Sequence, residues 1–145
     1  MKRLLLTMVA TAMSLCGFTA TATAQSNLHV KATVPFSFVT EHSEFSQGEY
    51  EIREVRPSVI ALQNTANDDT TLMPAIPELR GGKSRGPALV FHRYGNQYFL
   101  VQVISNNGDT VQNLITTTAE KKLIKQQKIP KLTVIRVSND GKSGD

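Results

Sequence analysis

The stretch ALVFHRYGNQYFLVQVI, residues 88–104, constrains the fold more than any other part of the chain. Two apolar runs flank Gly95-Asn96, a two-residue loop that tolerates positive φ and closes a tight antiparallel hairpin. Pairing Tyr94 with Gln97 sets the register outward: Arg93 with Tyr98, His92 with Phe99, Phe91 with Leu100, Val90 with Val101. One face then holds Ala88, Val90, His92 and Tyr94 against Val103, Val101, Phe99 and Gln97. The other holds Leu89, Phe91 and Arg93 against Gln102, Leu100 and Tyr98. Both faces are largely apolar, which places the hairpin inside the domain and not at its solvated edge.

The flanking sequence repeats the same period. In residues 28–40, Leu28, Val30, Ala32, Val34, Phe36 and Phe38 share one phase and His29, Lys31, Thr33, Pro35 and Ser37 the other, the alternation of a strand. Pro35 has no N–H to give a ladder, so this strand lies at an edge or breaks there. Residues 41–48 read as a loop, and residues 49–55 alternate again with Tyr50 and Ile52 inward. Residues 59–63 form a short strand, and the Asn and Asp side chains of residues 64–69 are placed to bond their own turn. Residues 70–76 are a strand weakened by Pro74 and Pro77. Residues 80–87, RGGKSRGP, read as an exposed basic loop.

Farther on, Thr117 and Glu120 fit a capping box that opens a helix running to about Lys128, with Pro130 blocking its continuation. Its stripe of Ala119, Leu123 and Ile124 is expected to dock on the sheet, leaving Lys121, Lys122, Lys125 and Lys128 in solvent. Residues 131–138 form the last strand. The expected fold is mainly β: a single antiparallel β-barrel or β-sandwich of roughly seven strands, with one packed α-helix near the C-terminus.

Residues 1–24 are set apart from this fold. Met1-Lys2-Arg3, an apolar run to Phe18 and Ala22-Thr23-Ala24 make the pattern of a signal peptide cleaved before Gln25. Leu15 precedes Cys16 where lipidation requires a small residue. The expected organisation is a signal peptide at 1–24, one β-rich domain at 25–138 and a disordered tail at 139–145. The product is periplasmic or extracellular and carries no transmembrane span. Cys16 is the only cysteine and leaves with the leader, so packing and ladders must hold the domain without disulfides.

The residues Val34-Pro35-Phe36-Ser37-Phe38, Gly48-Glu49-Tyr50, Phe91-His92-Arg93-Tyr94-Gly95 and Tyr98-Phe99-Leu100, with an Ala-Glu-basic helix after them, carry a resemblance. Together they resemble a family of short exported proteins of soil bacteria. The Phe-His-Arg-Tyr-Gly segment is its most specific part, and residues 72–87 depart from it, being longer and more basic. The resemblance implies export and a single domain and supplies no mechanism.

Charge narrows the function classes further. Residues 25–79 hold Lys31, Arg53 and Arg56 against eight acids, whereas residues 80–136 hold ten Lys and Arg against Asp109 and Glu120. The basic half either neutralises the acidic half across the sheet or faces an anionic partner. Arg80, Lys83, Arg85, Lys121, Lys122, Lys125 and Lys128 are the candidate patch, and anionic envelope polymers or lipid head groups the candidate partners. Nothing indicates nucleic acid, and the oligomeric state is open.

Candidate ligand contacts are His92 and Tyr94 on one hairpin face and Arg93 and Tyr98 on the other. The structural alternative is a buried, hydrogen-bonded His92 and an Arg93–Tyr98 cross-strand stack. His29, His42 and His92 have no metal-ligand spacing, and no cofactor motif, hydrolase elbow or catalytic set occurs. The acids of residues 41–54 offer no partner to the hairpin. The expected function is therefore a non-enzymatic envelope or extracellular binding or structural module. The competing reading is a small secreted enzyme or small-ligand binder with a pocket around His92 and Tyr94.

Overall fold

The computed structural model describes residues 28–41, 43–81 and 85–137. Residues 1–24, expected to be a signal peptide, residues 139–145, expected to be a tail, and His42 and Lys83 lie outside them. Ten strands and one helix follow in order: β1 (His29–Val34), β2 (Phe38–Val39), β3 (Glu44–Phe45), β4 (Gly48–Arg56), β5 (Val59–Asn64), β6 (Thr70–Leu79), β7 (Ala88–Tyr94), β8 (Gln97–Ile104), β9 (Thr110–Leu114), α1 (Thr118–Lys125) and β10 (Lys131–Arg136). The chain is thus mainly β, with its one described helix near the C-terminus.

All the strands join one open sheet. The path β1-β4-β5-β6-β9-β8 is antiparallel throughout; β7 pairs the length of β8, and β10 pairs β7. The other edge of β8 is shared by β9, at Gln102–Ile104, and by the short β2, which runs parallel to it at Phe99. The sheet curls so that its ends, β1 and β10, lie beside each other around one core. That core takes Val30, Ala32 and Val34 from β1, Tyr50 and Ile52 from β4, Ile60 and Leu62 from β5, and Leu89, Phe91, Leu100 and Val103 from the hairpin. Phe38 sits among Phe45, Tyr50 and Phe91 with ring centroids 5.1–5.5 Å apart, stacked on Phe45 and edge-on to the other two.

Local chemistry explains the breaks. Pro35 ends the first alternating run, which separates β1 from β2 as the missing N–H requires. Pro74 and Pro77 do not end β6, because that strand changes partner between them. It pairs β5 up to Pro74 and β9 from Ala75 onward, so each half has one unpaired edge where no N–H is needed. Residues 64–69 turn as their side chains suggest: Asn64 Oδ1 accepts from Ala66 N at 2.9 Å and Asn67 Oδ1 from Asp69 N at 3.1 Å.

The central hairpin keeps the expected register from Tyr94–Gln97 to Phe91–Leu100, with Gly95 at φ +61° in the loop. A β-bulge then inserts Val101, so Val90 faces Gln102 and not Val101. The extra residue reverses the alternation of the rest of β8: Val103 turns into the core, and Gln102 and Ile104 move to the outer face. Ala88, Val90, Ile104 and Val111 form a second apolar cluster there, so β7 carries buried apolar side chains on both faces.

Candidate functional site

Alternation points His92 and Tyr94 outward from β7, and α1 brings a carboxylate down onto them. Thr117 caps the helix in extended geometry, its hydroxyl accepting from Glu120 N at 2.9 Å. The expected return of the Glu120 side chain to the cap does not occur. Glu120 Oε1 instead lies 2.5 Å from His92 Nδ1 and accepts from the Tyr94 hydroxyl at 3.1 Å. Glu120 is 1% exposed, Tyr94 is 7% exposed, and the His92 side chain keeps 31% of its surface. A carboxylate can only accept, so the His92 hydrogen sits on Nδ1 and leaves Nε2 as the other ring nitrogen. Burial first, and then the charge and hydrogen bond of Glu120, push the Tyr94 phenol up to about 12.

Glu120 is the acid partner that the hairpin was not expected to have, and it also corrects how the helix docks. Ala119 and Ile124 are exposed and Leu123 is only half-buried, so the apolar stripe does not seat the helix. A buried polar clasp does. Phe99 lies beneath it, 1% exposed and edge-on to Tyr94 at 5.8 Å.

Arg93 and Tyr98 leave the cluster on the opposite face. The Arg93 guanidinium lies 5.3 Å from the Tyr98 ring centroid, its Nε donates to the Gly95 carbonyl at 2.7 Å, and Phe36 stacks on Tyr98 at 3.8 Å. The four candidate ligand residues therefore do not form one site. His29 is exposed and bonded to Glu51 at 2.7 Å, and that bond holds the Glu51 carboxyl below its usual range. Among the described residues, no group of three His, Cys, Asp or Glu could hold a metal ion, and no helix is long and apolar enough to cross a membrane.

A cleft of about 510 Å³ opens farther along the outer face of β7. Its floor is Ala88, Val90, Gln102 and Ile104, with Leu132 and Val134 of β10 on one side, and Arg80, Arg85 and Arg136 complete the charged part of its lining. Among the described residues no carboxylate lines it, and their ion pairs are His29–Glu51, Lys31–Glu51 and His92–Glu120, all elsewhere. The structure thus gathers Arg80 and Arg85 from the expected patch and adds Arg136. Lys121, Lys122, Lys125 and Lys128 are exposed on or just after α1, which covers the hairpin end of the same sheet face.

Sequence reasoning missed Glu120, Arg136, Leu132 and Val134. The signal for the last three was available, because strand alternation in β10 puts Leu132, Val134 and Arg136 in one phase. Comparison with protein-family models, curated proteins and solved structures returns no match.

Proposed function

We propose that the protein is an exported, non-enzymatic module that attaches to anionic envelope molecules through the outer face of β7, β8 and β10. The observation that carries this reading is the gathering of Arg80, Arg85 and Arg136 at one cleft whose lining, among the described residues, holds no carboxylate. The lysines of α1 extend the same sign of charge along that face, and Glu49 and Glu51 lie on β4, outside the cleft lining. The first-half acid Glu78 lies near it, accepting at 3.0 Å from Asn113, which in turn accepts from the cleft-lining Gln102 at 2.8 Å. Guanidinium groups suit phosphate and carboxylate oxygens because their N–H donors are planar and paired. Export rests on the leader pattern of residues 1–24.

The His92–Glu120–Tyr94 cluster supports a structural role. Its carboxylate is sealed from solvent and engaged with both partners through one oxygen. Of the trio, none lines the cleft. The geometry favours a clasp that holds α1 over the sheet rather than a base presented to a substrate.

Co-sedimentation with phosphatidylglycerol vesicles and with isolated envelope fragments tests the reading. Binding is expected at low salt and is expected to fall at 1 M, where the screening length is about 3 Å. Changing Lys121, Lys122 and Lys125 together to Gln weakens it, and adding Arg80→Gln weakens it further. Binding indifferent to salt and to all four substitutions would defeat the reading.

A further inference from the structure

The cleft is polar at one end and apolar along the rest of its length. On β10 the outward residues run Arg136, Val134, Leu132 toward α1, facing Ala88, Val90 and His92 of β7 in register. Arg136 stands at the end where Arg80 and Arg85 also reach the cleft, and its Nη1 donates to the Arg85 carbonyl at 3.4 Å. Beyond it Val134 is 46% exposed and Leu132 69% exposed, although both flank buried β7. From Arg136 to Leu132 is four residues, about 13 Å at roughly 3.3 Å per residue. A volume of about 510 Å³ is that of a small-molecule site.

A purely electrostatic surface has no use for exposed Leu and Val beside its cations, and a purely apolar one has no use for three arginines in its lining. We propose that the cleft binds a single anionic amphiphile. Its phosphate or carboxylate head sits on Arg80, Arg85 and Arg136. Its unbranched alkyl chain lies along Val90, Val134 and Leu132 and ends against α1. This deepens the attachment reading and rests on the same basic face, but it adds a dependence on chain length that charge alone does not produce.

Calorimetric titration of the full chain with inorganic phosphate, octyl phosphate, dodecyl phosphate (below its micelle concentration) and dodecyl maltoside tests it. Complete burial of a methylene gives roughly fourfold in affinity, so a cleft open on one side gives about twofold, or about 16-fold from octyl to dodecyl phosphate. Inorganic phosphate binds weakest, and the uncharged maltoside binds more weakly than dodecyl phosphate. Leu132→Glu and Val134→Asp change exposed side chains, leave the fold intact and abolish the chain-length dependence. Ile129→Asp, at a residue 90% exposed and outside the cleft lining, changes nothing.

Equal affinity for octyl and dodecyl phosphate would overturn the proposal, as would dodecyl maltoside binding as tightly as dodecyl phosphate. A dimer in sedimentation that Leu132→Glu dissociates, with amphiphile affinity unchanged, would assign the exposed apolar residues to a second copy instead. Salt-sensitive vesicle attachment without chain-length dependence would remove this inference and leave the attachment reading standing. Chain-length-dependent binding without vesicle attachment would do the reverse.

Discussion

Replacing Glu120 by Ala removes the one acceptor shared by His92 and Tyr94, and the structure sets the size of the loss. The Tyr94 hydroxyl is buried with the residue 7% exposed, so stranding it carries a desolvation cost of about 1–3 kcal/mol. His92 keeps 31% of its side chain in solvent and can rehydrate, so its lost bond adds only about 1 kcal/mol after screening. The expected total is about 2–4 kcal/mol in urea unfolding. Glu120→Gln keeps an acceptor for Tyr94 and should cost about 1–2 kcal/mol. Because the clasp joins α1 to β7, hydrogen exchange should rise across α1 before it rises in the hairpin. A double-mutant cycle with Tyr94→Phe should return a coupling of about 0.5–3 kcal/mol. A loss below about 0.5 kcal/mol for Glu120→Ala, with α1 exchange unchanged, would refute the idea that this polar cluster seats the helix.

Two further outcomes follow from burial. Phe91→Ala and Phe99→Ala remove rings that are 0% and 1% exposed and should each cost about 3–5 kcal/mol in denaturant melts; losses below about 1 kcal/mol for both would make the hairpin peripheral. Tyr94 stays neutral to about pH 12 in the folded state against 10.0 unfolded, so its contribution is fully present below pH 10.0 and is lost as pH rises through that window. A difference of that size corresponds to about 2–3 kcal/mol. Tyr94→Phe should therefore flatten the alkaline loss of stability, and an unchanged alkaline midpoint would contradict the assignment.

What the sequence disclosed was what short-range chemistry decides. The hairpin register out to Phe91–Leu100, the inward set of β1, the Asn64 and Asn67 turn bonds and the Thr117 cap each depend on residues close in the chain or on strict alternation. The bulge at Val101 escaped because alternation carries no mark of an inserted residue when both faces are apolar, and Val103 and Ile104 suit either side. Pro74 and Pro77 weakened a strand that is real, since the change of partner along β6 is a tertiary fact. Glu120 was absorbed into a local capping motif, yet its partners lie 28 and 26 residues away. A lone acid in the first turn of an otherwise basic helix was the available clue. The cleft required β10 to be placed beside β7 before Arg136 could join Arg80 and Arg85.

The outer face of β7, β8 and β10 is the proposed attachment surface. Amide chemical shifts of the isotope-labelled full chain, titrated with short-chain polyphosphate at low salt, test it most directly. The shifts should concentrate at Arg80, at residues 85–90 and 132–136, and along α1, and they should vanish at 1 M salt. Shifts that gather instead on β4 and β5, or none anywhere at low salt, would contradict the claim.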